Sequence, residues 1–216
     1  MKHAIITRFD FPTNDPTITN RLKIFQEQLL NSLNNQTNQN FELWVRCNKE
    51  HEHLIKELNP RIQTFQYKKI GEPHPKYAKR PALEPFDTQG FENYDVLTRL
   101  DTDDSVREDF VARIQEEYNK SSGVPTILSF LPYRKDLKTG ELYRSKKNPY
   151  SNTKTTAFLS FLNPTQFIYK DSHLRMWKYA DETITIPEGY AFIGIHQNNS
   201  TTRINLNKHE KLNQNS

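Results

Sequence analysis

The sequence predicts an α/β fold, with a β-α-β unit first and a mixed sheet after it. Three observations point there. An apolar run over 3–9 is followed by helical periodicity over 18–33 and a second apolar run over 41–45. A third apolar run, Tyr94 to Leu100, ends in four residues that carry three carboxylates, Asp101, Asp103 and Asp104. The second half then changes to short apolar segments separated by turn residues. Consecutive strands joined through a helix pair in parallel, and runs of strands without helices return antiparallel.

Residues 3–9 (HAIITRF) read as a short buried strand, and the Pro- and Asn-containing run 11–17 breaks it into a loop. Ile18, Leu22, Phe25, Leu29, Leu30 and Leu33 then recur at helical spacing. Thr17 or Thr19 is a candidate cap for this helix. The polar run 34–40 stops it, and 41–45 (FELWV) forms the second strand. Residues 49–58 suggest a short helix, and 62–67 alternate like a strand. Residues 71–90 hold four prolines and two glycines and read as a long surface loop. A helix is expected over 105–119, with Phe110, Val111, Ile114 and Tyr118 on one face. Strands are expected at 126–133, 141–143, 158–162, 165–169, 183–186 and 191–195, with a helix within 172–180. The first two of these strands are joined through Lys138, Thr139 and Gly140. A single domain over 1–206 is expected, with a polar, frayed tail over 207–216.

Composition narrows the class. The 216 residues suffice for one domain with a sizeable core. Hydrophobic residues make up 34 %, a low share that 13 Phe and 10 Tyr offset through their large buried area. Cys47 is the single cysteine, so no intramolecular disulfide forms and a reducing compartment is the simplest reading. No stretch reaches the roughly 18 apolar residues of a membrane span, and no signal-peptide pattern opens the chain. The expectation is a soluble, cytoplasmic protein. The formal charge of +4 reads as a solvated surface before it reads as a nucleic-acid or lipid surface.

The acidic cluster carries the chemistry. In open α/β sheets ligands bind outside the carboxyl ends of the strands. On an extended backbone Asp101 and Asp103 point the same way and repel each other. A hard cation relieves that repulsion, and Mg2+ or Mn2+ commonly sits between one or two carboxylates and substrate phosphates. The plainer alternative is that Asp104 or Ser105 caps the next helix. A calcium loop requires Gly at its sixth position and Glu at its twelfth, and here those are Val106 and Ala112. An aspartyl phosphatase would carry its motif on the first strand. A metal nuclease stays open on the basic pI, although no paired acidic motif elsewhere would build its second metal site.

Several segments in this order carry a resemblance. They are Thr7-Arg8-Phe9 with the run 21–25 (RLKIF), the run 32–45 (SLNNQTNQNFELWV), the run 98–106 (TRLDTDDSV) and the run 191–199 (AFIGIHQNN). In these the chain resembles GT-A glycosyltransferases, and specifically the rhamnosyltransferase family. The resemblance implies the GT-A, nucleotide-diphospho-sugar transferase fold, with a Rossmann-like N-terminal half and a mixed central sheet. It implies that Thr7, Arg8 and Phe9 line the nucleotide pocket, and that Arg99 and Asp101 lie near ribose and diphosphate. Asp103 would be the main ligand of Mn2+ or Mg2+, and His196 a late second ligand. Where many relatives carry an Asp pair after the second strand, this chain has Arg46, Cys47 and Asn48. The base of the donor, dTDP, UDP or GDP, is therefore left open.

An inverting transferase needs a general base for the acceptor hydroxyl. Asp171 and His173 are the candidates, although Asp171 and Ser172 would equally serve as helix caps. Lys135, Lys138, Arg144, Lys146, Lys147 and Lys154, interleaved with Tyr133, Tyr143 and Tyr150, form a basic stretch. It suits an anionic ligand or single-stranded nucleic acid, but a solvated hairpin explains most of it. The expected activity is metal-dependent transfer of a sugar, rhamnose by family analogy, to a glycan or lipid-linked acceptor. Peripheral contact with the inner membrane face is expected, and nucleic acid is not an expected partner. The rival readings are a nucleic-acid-binding module and a metal-dependent phosphohydrolase.

Overall fold

A computed structural model describes residues 1–12, 14–66, 90–146, 155–169, 173–196 and 208–212. Its frame is four parallel strands. β1 (His3–Phe9) lies between β2 (Glu42–Cys47) and β4 (Val96–Arg99), and β3 (Gln63–Phe65) flanks β2. β1 is buried on both faces, which is why Ala4, Ile5 and Ile6 follow one another rather than alternating with polar residues. Beyond β4 the sheet turns antiparallel through β8 (Phe158–Leu162), β6 (Thr126–Asp136), β7 (Leu142–Ser145) and β10 (His209–Lys211). β9 (Glu182–Ile195) runs parallel to β6, and its last third pairs antiparallel with β5 (Ser105–Val106).

Helices cover one face. α1 (Ile18–Phe25) continues through a π-helical turn (Gln26–Leu30) into α2 (Asn31–Asn34), burying Phe25, Leu29, Leu30 and Leu33. α3 (Glu52–Leu58) adds Ile55, and α4 (Phe110–Lys120) adds Phe110, Val111 and Ile114 to the same core. The opposite face carries a second core of Ala4, Ile6, Leu97, Leu159 and Phe161. It is covered by Phe91, Phe167, Tyr169 and Met176. Met176 belongs to a 3₁₀ helix, His173–Tyr179. No helix among the described residues is long and apolar enough to cross a membrane.

Four expectations change. The helix expected from 105 begins at Phe110, because Ser105 and Val106 are buried and pair with Phe192 and Ala191 as β5. Neither Asp104 nor Ser105 caps α4. The Val111 N–H is instead met by Gln36 Oε1 at 2.9 Å, from the polar run after α2. Residues 165–169 form turns, not a strand. Asn163 sits at φ 48° before Pro164, and the alternating Phe167 and Tyr169 pack into the second core from a turn. The segments 183–186 and 191–195 are one bent strand, with the β6–β9 register shifting between Phe130 and Pro132. Pro132 donates nothing to a ladder and is tolerated at that break, and Gly189 supplies φ 106° opposite it.

Within the stretch read as a frayed tail, His209–Lys211 pairs with β7, and the ion pairs Arg144–Glu210 and Lys211–Glu141 hold it there. Residues 71–89 of the expected loop lie outside the described residues.

Candidate functional site

The order β3-β2-β1-β4 reverses direction at β1. Chain connections leave β1 toward β2 on one side and return to β4 on the other, which opens a crevice at the carboxyl ends of β1 and β4. Arg8 and Asp10 stand at the end of β1, Arg46 at the end of β2, and Arg99 and Asp101 at the end of β4. Arg8 is in register with Arg46, so both project from the same face of neighbouring strands.

All three guanidinium groups gather on Tyr169. Their central carbons lie 4.5 Å (Arg99), 5.3 Å (Arg8) and 5.7 Å (Arg46) from its ring centroid. The Tyr169 hydroxyl donates to the Ile6 carbonyl at 3.1 Å, and burial pushes its phenol pKa up. Arg46 is wholly buried and donates through Nε to Asp10 Oδ1 at 3.1 Å and through Nη2 to Asp10 Oδ2. Asp101 Oδ1 stands 3.8 Å from Arg8 Nη2 and 4.0 Å from Arg99 Nη2. Of the three arginine side chains Arg8 is 36 % exposed, whereas Arg99 is 7 % and Arg46 is 1 % exposed. Arg8 is therefore the one able to touch a ligand.

After β4 the chain turns, with the Asp104 N–H donating to the Asp101 carbonyl at 3.2 Å, and enters β5. The β5–β9 pairing carries the end of β9 back to this turn. His196 Nε2 stands 3.1 Å from Asp103 Oδ2. Asp104 turns inward: it is buried and accepts the Gly194 N–H at 3.2 Å. Burial, and then the charges of Asp103 and Asp101, push its pKa well up. The three carboxylates thus divide between two roles. Asp101 and Asp103 stay part-exposed, against Arg8 and His196, and Asp104 ties β9 to the turn. β9 approaches so closely that a Cβ on Gly194 would stand 2.0 Å from the Asp103 carbonyl oxygen.

Among the described residues no group of three or more His, Cys, Asp or Glu is arranged so that it could hold a metal ion by itself. The convergent carboxylate and imidazole of Asp103 and His196 still fit a divalent cation whose other ligands are phosphate and water. Mg2+ is commonly bound in that way, through one or two protein groups, and imidazole is acceptable to Mn2+.

The structure brings Arg8 and Arg99 to Asp101, and His196 to Asp103. Thr7 and Phe9 are fully buried. Phe9 packs on Phe11, Phe25 and His51, so its ring belongs to the core and not to a pocket wall. His173 opens the 3₁₀ helix beside the crevice. Burial first, then the charges of Arg99 and Arg8 against that of Asp101, lowers its pKa to about 4. Asp171 lies outside the described residues, as do Lys147, Tyr150 and Lys154 of the basic stretch. Arg134, in the same hairpin, donates to Ser145. Asp10 and Tyr169 were not singled out in the sequence, and Arg46 only as a residue standing where many relatives carry an Asp pair. Arg46 was detectable as the strand-register neighbour of Arg8, but Tyr169 carried no signal.

The central sheet with this switch point and an acidic turn at its mouth has a GT-A type fold. The family model described as "Putative rhamnosyl transferase" matches residues 2–208, and the chain belongs to that family. No curated protein matches the sequence. Among solved structures the chain is similar to residues 1–349 of S. aureus TarS in complex with UDP-GlcNAc. That match has 12 % identity and a TM-score of 0.58, and covers 94 % of this chain and 62 % of that one. The same fragment in complex with UDP matches with 13 % identity and a TM-score of 0.55, covering 90 % and 61 %. A longer TarS structure matches at 12 % and 0.55, covering 90 % of this chain and 37 % of that one. The chain thus spans about three fifths of the TarS fragment.

Proposed function

We propose that this enzyme transfers a sugar from a nucleotide-diphosphate donor to a glycan or lipid-linked acceptor, with dependence on a divalent metal. One observation carries the reading. A ligand-facing guanidinium (Arg8) and a carboxylate–imidazole pair (Asp103 and His196) flank Asp101 at the switch point, where the chemistry of a phosphate anion and of a cation meet. The family description supports rhamnose as the sugar and so a dTDP-linked donor. The UDP-GlcNAc and UDP complexes of TarS support a nucleotide-sugar donor in the same fold, which keeps UDP- and GDP-sugars in the test.

In this mechanism Arg8 binds and orients the anionic donor, backed by Asp101 and Arg99. Asp103 and His196 would hold Mn2+ or Mg2+, which when bound neutralises charge on the leaving diphosphate. His173 is neutral at pH 7 and can accept a proton, but a pKa of about 4 makes it a weak base in the free protein. A bound diphosphate offsets Arg99 and Arg8, two groups that depress that pKa, and moves it toward the operating range. His173 is therefore proposed as the base of the complex, with Asp171 as the second candidate.

The experiment incubates the protein with dTDP-rhamnose, UDP-sugars and GDP-sugars in Mn2+, together with a panel of glycan and lipid-linked acceptors, and identifies the nucleotide released. Nucleoside diphosphate from one donor is expected. Nucleoside monophosphate or sugar phosphate would instead mark a phosphohydrolase, and no release from any donor would contradict the reading.

A further inference from the structure

We infer that Tyr169 is a positioning residue for donor binding, its ring being the shared support that aims Arg8 into the crevice. The inference rests on the nucleotide-sugar reading of the site. Three like-charged guanidinium groups within 6 Å of one ring centroid repel one another and need a common attractive surface. The negative face of an aromatic ring supplies it, and Arg uses it as a planar stack where Lys offers only a point charge. Two carboxylates complete the arrangement: Asp10 fixes Arg46, and Asp101 lies between Arg8 and Arg99.

The position of the ring is set by the strand it serves. The Tyr169 hydroxyl is bonded to the carbonyl of Ile6, two residues before Arg8 on β1. Arg46 and Arg99 are buried against the ring, and of the three Arg8 alone is over a third exposed. An exposed arginine on a flexible stem loses rotamer freedom on binding an anion, and prior fixation by the ring removes part of that cost. The sequence offers no hint of this, because Tyr169 lies in a turn far along the chain and meets β1, β2 and β4 only in the fold.

Calorimetric titration with UDP, dTDP and GDP, each in Mn2+, tests the inference on Tyr169→Phe and Tyr169→Met. The wild type is expected to bind at least one nucleotide. Tyr169→Phe keeps the ring and should stay within about threefold of the wild type, whereas Tyr169→Met fills the space without a ring and should bind about tenfold more weakly. With donor sugar the loss should appear in KM more than in kcat, as removal of uniform binding does. Adding Arg8→Ala to Tyr169→Met should cost little more, because Arg8 is already misdirected.

Full affinity in Tyr169→Met, or strictly additive effects with Arg8→Ala, overturns the inference while leaving the donor reading intact. A wild type that binds none of the three nucleotides overturns both. Should Tyr169→Met not fold, Arg8→Lys in the intact protein decides. It keeps the charge and loses the stack, so about tenfold weaker binding supports the inference and unchanged binding overturns it.

Discussion

Gly194→Ala is a one-carbon change whose cost follows directly from the geometry. The added Cβ would lie 2.0 Å from the Asp103 carbonyl oxygen, 3.1 Å from its carbonyl carbon and 3.3 Å from Leu137 Cδ1. The first two neighbours are backbone, so no side-chain rotation relieves the clash. Either β9 or the turn after β4 must move by about 1.4 Å to bring 2.0 Å to the 3.4 Å at which ordinary contact begins. Moving β9 strains its pairing with β5 and the Gly194 N–H bond to Asp104.

Overpacking of this kind costs about 1–3 kcal/mol, and a backbone clash belongs at the upper end. For a chain of this size each kcal/mol is about 2–4 °C, so Tm should fall by about 5–10 °C. The same shift separates His196, two residues on, from Asp103, so the stabilisation by nucleoside diphosphate with Mn2+ should also shrink. Thermal unfolding with and without these ligands reads both effects. A Gly194→Ala protein with wild-type Tm and wild-type ligand response would refute the claim that β9 is pressed against the acidic turn.

Gln36→Ala should cost about 2–3 kcal/mol in a urea titration, since it removes the acceptor for the Val111 N–H at 2.9 Å and the donor to Arg107 and Ser32 carbonyls at 2.7 and 2.9 Å. His3 is buried with its pKa lowered from 6.5 to about 3, so the unfolded chain takes up a proton that the native state refuses. Its contribution is complete above pH 6.5 and declines as pH falls toward about 3. Between pH 7 and pH 4.5 the loss is about 2–3 kcal/mol, and His3→Gln should flatten that part of the stability profile. His173 should titrate near 4 by NMR in the free protein and higher with a bound nucleoside diphosphate; an unmoved value would remove it as the base.

The parallel half of the sheet was legible because β1, β2 and β4 are short segments rich in apolar residues with loop or helical spacing between them. The acidic cluster was legible because it ends one of those runs. Asp103 and His196 are 93 residues apart, and the resemblance paired them before the fold did. The residues missed have long-range causes. Gln36 caps a helix 75 positions away, and no local pattern distinguishes it from the other residues of its polar run. Tyr169 looked like part of a strand because Phe167 and Tyr169 alternate, yet their alternation serves a packed turn. Asp104 looked like a helix cap by composition, and only the arrival of β9 shows that its carboxylate turns inward.

The most direct test of the central claim is thermal unfolding against dTDP, UDP and GDP, each with and without Mn2+, in the wild type and in Asp103→Ala. A ligand that binds only the native state raises Tm by mass action, about 2.7 kcal/mol at a hundredfold excess over Kd. The account predicts a metal-dependent rise with one nucleotide that Asp103→Ala loses while remaining folded. A rise that Asp103→Ala retains in full, or no rise with any nucleotide, would contradict it.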